Sequence, residues 1–139
     1  IIDNSFTKTN KIKVAENLEG LVKDIDILAL TLPLTNQTKG IINSELISKS
    51  KKQLVIVNTS RALIVNQKCL IDMLEKKKIR AYLTDVLEEE PIIKNNPLNK
   101  FENVIITPHI GSRTYESVER QGLMAVENLI NSFRKITKN

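Results

Sequence analysis

One cysteine, one histidine, four glycines and an aromatic content of 4% are spread over 139 residues. With Cys69 alone, no internal disulfide can form, which suits a reducing compartment and points to the cytoplasm. Cys69 falls in the helical pattern Leu70, Ile71, Leu74, so it reads as a packing residue rather than a nucleophile. Long apolar runs are missing too. Ile27 to Leu30 and Leu54 to Val57 fall far short of the ~20 residues a membrane helix needs. No basic stretch followed by a long apolar core opens the chain as a secretory signal would. The glycines, at positions 20, 40, 111 and 122, nowhere make the G-x-G-x-x-G turn that cradles a pyrophosphate.

What is present is a basic but otherwise ordinary globular composition. Hydrophobic residues make up 41% and charged residues 27%, which fits one packed domain. The net charge is +5 and the pI about 9.4. Lys49, Lys51, Lys52 and Lys76 to Lys78 would be the footprint of a nucleic-acid binder. They fall where helical patterns end, however, and cations there complement the helix dipole. Too few aromatics interleave with them to stack bases. Nucleic acid is therefore not the expected partner.

Ile1-Ile2-Asp3 reads as the tail of a strand, Asn4 to Lys13 as polar loop and Leu18 to Val22 as a short helix. Ile25 to Leu32 is an unbroken apolar strand closed by Pro33. Asn43-Ser44-Glu45 opens a helix with the serine as cap, running to about Lys49. Gln53 to Asn58, Arg80 to Asp85 and Asn103 to Thr107 are further strands, with a capped helix from about Asn66 to Lys77 between the first two. The last helix starts near Thr114 and lines Val118, Val126, Leu129, Ile130 and Phe133 along one side. Strands without polar alternation, separated by helical segments, predict an α/β fold with a mainly parallel sheet covered on both faces.

In such sheets ligands bind beyond the carboxyl ends of the strands. The segments that follow the predicted strands are Thr31 to Thr35, Asn58 to Arg61, Asp85 with its acidic loop, and Pro108-His109-Ile110-Gly111-Ser112. Every cluster with chemical capability is therefore expected on one edge. A lone histidine is ordinarily a surface or core residue, but His109 follows the apolar run Val104-Ile105-Ile106, with the acidic stretch ending at Glu90 upstream. A carboxylate beside an imidazole fixes its tautomer and favours imidazolium, so the two make an acid/base pair.

The segments LPLTNQTKGIIN, VIVNTSRA, DVLEEEP and NVIITPHIGS, in this order and spacing, resemble the C-terminal half of the nicotinamide-binding domain of the D-isomer-specific 2-hydroxyacid dehydrogenases. The resemblance runs from about Leu18 to near the end of the chain. It implies an incomplete Rossmann-type, doubly wound parallel sheet, lacking the first glycine-loop βαβ unit. It also implies an oxidoreductase that moves a hydride between NAD or NADP and a small 2-oxo or 2-hydroxy acid, with Arg61, Glu90 and His109 as the catalytic set. Arg61 offers the two-pronged guanidinium that grips a carboxylate, a geometry lysine lacks. An arginine paired on the surface with Asp85 or a loop carboxylate is the plainer alternative. His109 would give the proton on reduction, and Glu90 rather than Glu88 or Glu89 would hold the imidazole.

Cofactor contacts implied by the resemblance are Leu32 and Pro33 near the adenosine, then Thr59, Ser60, Arg61, Asp85, His109, Gly111 and Ser112 around the nicotinamide. Asp85 would accept from the carboxamide, and Asp3 is a further acid for the adenosine ribose. Ala62 stands where the family usually has glycine, which matters if the loop aiming Arg61 needs a positive φ. Without the glycine loop, the strand at Ile25 to Leu32 is expected to have no neighbour linking it to the strand at Gln53 to Asn58. The chain then reads as a fragment without the glycine-rich unit and the substrate domain. A homodimer is expected. The competing reading is a catalytically inactive remnant that serves as a dimerisation or interaction module, burying its sheet edges against a partner.

Overall fold

The computed structural model describes residues 4–51 and 53–136. The chain divides into two compact units, Ile1–Pro108 and His109–Asn139. The strand tail at Ile1 to Asp3, with Asp3 itself, lies outside the described residues.

The first unit is built on a sheet in the order β1-β2-β3-β4, with β1 at Ile27–Leu30, β2 at Leu54–Asn58, β3 at Ile79–Thr84 and β4 at Val104–Ile106. All neighbours pair in parallel. β1 pairs β2 directly, from Ile27 opposite Val55 to Leu30 opposite Asn58, so the expectation that these strands lack a link is wrong. The apolar strands need only each other's backbone groups to close the ladder. β1 is shorter at both ends than its apolar run, because Ile25 and Leu32 already belong to connections, and β3 stops at Thr84, before Asp85.

Alternate residues separate two faces. Leu28, Leu30, Ile56, Asn58, Tyr82 and Thr84 are buried on one face, against Val22 of helix α2 (Leu18–Asp24), Leu46 and Ile47 of α3 (Ser44–Ser48), and Leu70, Met73 and Leu74 of α4 (Gln67–Glu75). Leu54 and Ile56 are wholly buried, each worth on the order of 1.5–3 kcal/mol in removed apolar surface. The opposite face is not covered as expected, since Ile27 is 62% and Ile105 56% exposed. The connection from β3 to β4 is also not an α-helix. It is a loop with a single 3-10 turn at Pro97–Lys100, started by Asn96, whose side chain accepts from Leu98 N.

Asparagines cap α2, α3 and α4. The side chains of Asn17, Asn43 and Asn66 accept from Gly20 N, Leu46 N and Cys69 N, satisfying donors the first turn leaves open. The cap of α3 is therefore Asn43, not Ser44. The predicted loop at Asn4 to Lys13 holds a helix, α1 (Asn4–Thr9). It ends where Lys11 takes φ 54°, with Ile12 N on Thr7 O at 2.8 Å and Lys11 N on Lys8 O at 3.2 Å. This is a left-handed helix stop with no glycine to mark it.

In the second unit α5 spans Tyr115–Ile136. Thr114 begins it, its hydroxyl accepting from Ser117 N at 3.2 Å. Ser117 is the helix's buried residue. Val118, Val126, Leu129, Ile130 and Phe133 do line one side, and all are exposed.

Candidate active site

Because the strands are parallel, the segments after β1, β2 and β3 leave the sheet at the same edge. After β1, Pro33 O accepts from Thr38 Oγ1 at 2.7 Å, and Thr35 N donates back to the same hydroxyl at 2.8 Å. This folds the segment into a tight turn. After β2, Thr59 and Arg61 are exposed and Ser60 is buried. The two segments form one open groove lined by Thr31 to Leu34 and by Thr59 to Arg61. Leu32, Pro33, Thr59, Ser60 and Arg61 are thus brought together.

Arg61 is in extended conformation and leads into a 3-10 turn at Ala62–Ile64. Its guanidinium Nη1 donates to Ser60 O at 2.6 Å, within its own loop rather than to Asp85 or an acidic side chain. Ala62 is absent from the residues with positive φ, so the alanine leaves this turn unstrained. Asp85 stands one strand over, its N–H on Asn58 O at 3.4 Å. Ser60 Oγ and Asp85 Oδ1 are buried polar atoms with no hydrogen-bond partner. Such atoms cost on the order of 1–3 kcal/mol each unless something satisfies them. Glu90 follows on the acidic loop and accepts from Leu87 N at 2.9 Å, a bond that distinguishes it from its neighbours Glu88 and Glu89.

His109 is the first residue of the second unit and is exposed, as are Gly111 and Ser112. Within that unit Arg113 N donates to Ile110 O at 2.8 Å. Gln121 Nε2 donates to Ser112 O at 3.1 Å, so the turn after His109 is tied to the first turns of α5.

Sequence reasoning missed the polar cluster beneath the groove. Asn58, Tyr82 and Thr84 are all buried on the core face. Burial pushes the Tyr82 phenol above its usual pKa, opposed by the hydrogen bond from Asn58. The available signal was an asparagine and a threonine closing otherwise apolar strands. Among the described residues no group of three or more His, Cys, Asp and Glu is placed to hold a metal ion, and no helix is long and apolar enough to cross a membrane.

The two orphaned atoms fit the polar amide and hydroxyl groups at the nicotinamide end of a dinucleotide. The glycine turn for its pyrophosphate is not in the sequence. A parallel sheet with convergent polar groups on its carboxyl edge defines an α/β domain of the dinucleotide-binding class. The chain belongs to the D-isomer specific 2-hydroxyacid dehydrogenases, since residues 2–111 match the model of that family's NAD binding domain. It is 41% identical over 114 residues to a glyoxylate reductase of Aeropyrum pernix, covering 82% of this chain and 34% of that one. It is 39% identical over 123 residues to a glyoxylate/hydroxypyruvate reductase B of an Enterobacter species, covering 88% and 38%. Among solved structures, D-mandelate dehydrogenase of Rhodotorula graminis superposes with a TM-score of 0.77 at 27% identity, over 84% of this chain and 34% of that one. The chain thus spans little more than a third of the length of the curated relatives it matches.

Proposed function

We propose that this chain is the C-terminal portion of the NAD(P)-binding domain of an oxidoreductase that interconverts a small 2-oxo acid and its 2-hydroxy acid. Glyoxylate and hydroxypyruvate are the first candidates, from the names of the relatives. The observation that carries the reading is the pair of orphaned buried atoms, Ser60 Oγ in the loop that presents the exposed Arg61 and Asp85 Oδ1 at the end of the neighbouring strand. Asp85 would accept from the carboxamide of the cofactor, and Leu32 and Pro33 would offer apolar contact to its adenosine. Ser60, Thr59, Gly111 and Ser112 would hold the nicotinamide side. When bound, NADH or NADPH supplies the hydride to the carbonyl carbon.

The chain's own residues do the rest. Arg61 swings from the Ser60 carbonyl to grip the substrate carboxylate in two-pronged fashion and polarise the ketone. His109 gives a ring N–H proton to the carbonyl oxygen on reduction and takes it back on oxidation, with Glu90 as its carboxylate partner. The single cysteine accords with a cytoplasmic location.

The test is oxidation of NADH or NADPH, with glyoxylate, hydroxypyruvate or pyruvate, by the complete enzyme of which this chain is proposed to be a portion. Turnover is expected with at least one acid, and Arg61→Lys should lower kcat/KM by ~10²-fold or more through loss of the bidentate contact. Near wild-type kinetics in Arg61→Lys would remove the assignment.

A second reading, an inactive module that pairs with a second copy of itself, is favoured by one observation. The apolar side of α5 is exposed, while Glu116 lies in its first turn and Arg134 and Lys135 in its last. Antiparallel pairing of two such helices sets acidic ends against basic ends and buries the apolar sides together. Sedimentation should then show a homodimer that Leu129→Glu converts to monomer. A monomer at every concentration ends this reading.

A further inference from the structure

Asn58 closes β2 and is fully buried. Its Oδ1 accepts from Ser60 N at 3.1 Å. Its Nδ2 donates to Arg61 O at 3.0 Å and to Tyr82 Oη at 3.2 Å. The amide's acceptor and both donors are thus spent, two of the bonds on the short loop that presents Ser60 and Arg61. The backbone of Asn58 is held as well, because its carbonyl accepts from Thr84 Oγ1 at 2.9 Å. Thr84 Oγ1 in turn accepts from Val86 N at 3.1 Å. On its far side the loop is anchored by Ile64, which is wholly buried in the core.

A side chain that merely filled the core would be apolar, since replacing a buried polar set by apolar groups of like shape is nearly neutral. Asparagine here does something leucine cannot: it dictates the path of three loop residues from inside. The same loop leaves Ser60 Oγ buried and unpartnered. Its conformation is thus held although it is not the one that best satisfies its own polar groups.

We propose that Asn58 is the positioning residue of the Arg61 loop, fixing where the guanidinium and the Ser60 hydroxyl are presented and so setting affinity for the 2-oxo acid. This rests on the reading of Arg61 as the carboxylate clamp. Aspartate cannot substitute at neutral pH, because an ionised carboxylate only accepts: Tyr82 Oη can turn and donate to it, but the Arg61 carbonyl would face it acceptor to acceptor in a buried place. Protonated aspartate regains one donor, and burial raises the pH at which it does so.

The test uses the whole 139-residue chain as wild type, Asn58→Leu, Asn58→Asp and Tyr82→Phe, each titrated with glyoxylate while the Arg61 Nε–H and Ser60 N–H resonances are followed. Tyr82→Phe takes one buried bond from the amide but leaves both loop bonds, so it controls for lost stability. Asn58→Leu and Asn58→Asp should weaken glyoxylate by ~10-fold or more at neutral pH, the equivalent of one or two net hydrogen bonds of positioning. Asn58→Asp should recover affinity as the pH is lowered, and Tyr82→Phe should stay near wild type. Equal affinity in the Asn58 variants, or an equal loss in Tyr82→Phe, overturns the proposal.

If glyoxylate moves no Arg61 resonance in the wild type, the clamp reading is the part that fails. Asn58 is then judged by hydrogen exchange at the Ser60 amide. Loss of its protection in Asn58→Leu or Asn58→Asp but not in Tyr82→Phe supports the positioning role, and unchanged protection refutes it.

Discussion

Lys77 holds φ 50° directly after α4, where its N–H reaches Leu74 O at 3.1 Å and Lys78 N reaches Met73 O at 2.9 Å. The bonds are those of a left-handed helix stop, which glycine usually occupies because a Cβ costs roughly 1–2 kcal/mol there. Lys77→Gly removes that strain and adds some freedom to the unfolded chain. A net gain of about 0.5–1 kcal/mol is expected in a urea titration. Tyr82 gives a residue-scale prediction of a different kind. Its phenol is raised by burial, so on alkaline titration the unfolded chain releases the proton first, from about pH 10. The contribution is complete below that pH and is lost as the pH climbs toward the folded value. The urea midpoint of the wild type should therefore fall more steeply above about pH 10 than that of Tyr82→Phe. Equal slopes would show that Tyr82 does not carry the linkage. Neither feature was legible in the sequence. A lysine at a helix stop looks like any cation near a C-terminus, and a tyrosine in an apolar strand looks like core.

α3 shows how far element boundaries can be read. Asn43 and Ser44 are both capping residues by type, and only the side-chain bond from Leu46 N to Asn43 Oδ1, at 2.9 Å, decides between them. Asn43→Ala should cost about 1 kcal/mol in urea denaturation and Ser44→Ala a small fraction of that. The reverse order would mean the serine caps after all. The strand centres were legible because Leu28, Ile56 and Tyr82 lie in continuous apolar runs with no competing period. Their ends were not, since Ile25 and Leu32 pack against the core from connections and look no different in sequence from strand residues. α1 was missed because Asn4, Ser5, Thr7 and Thr9 favour turns, and its stop at Lys11 has no glycine to announce it. Of the site, the order and edge of the clusters after β1, β2 and β3 were legible from strand polarity alone. The Asn58 clamp beneath them was not, because its partners Ser60, Arg61 and Tyr82 meet it only through the turn and the neighbouring strand.

At the scale of the whole molecule, burial is concentrated in one unit. The core cluster runs from Val22 to Leu98, whereas α5 has Ser117 as its buried residue. β2 lies between β1 and β3 with both ladders made, so its amides can open only when the core does. α5 is long, but its apolar side is exposed, and most helical stability in proteins comes from packing of such a side. Hydrogen exchange should therefore protect β2 and β3 above α5 by ~10³-fold or more, reflecting global against local opening. Measured over a range of protein concentration, the same experiment separates the two readings of function. If copies pair through α5, its protection rises with concentration while that of β2 stays level. If α5 exchanges at one rate throughout, its apolar side serves no second copy. Protection as strong in α5 as in β2 at the lowest concentration would contradict the exposure of Val118, Val126, Leu129 and Phe133 on which both expectations stand.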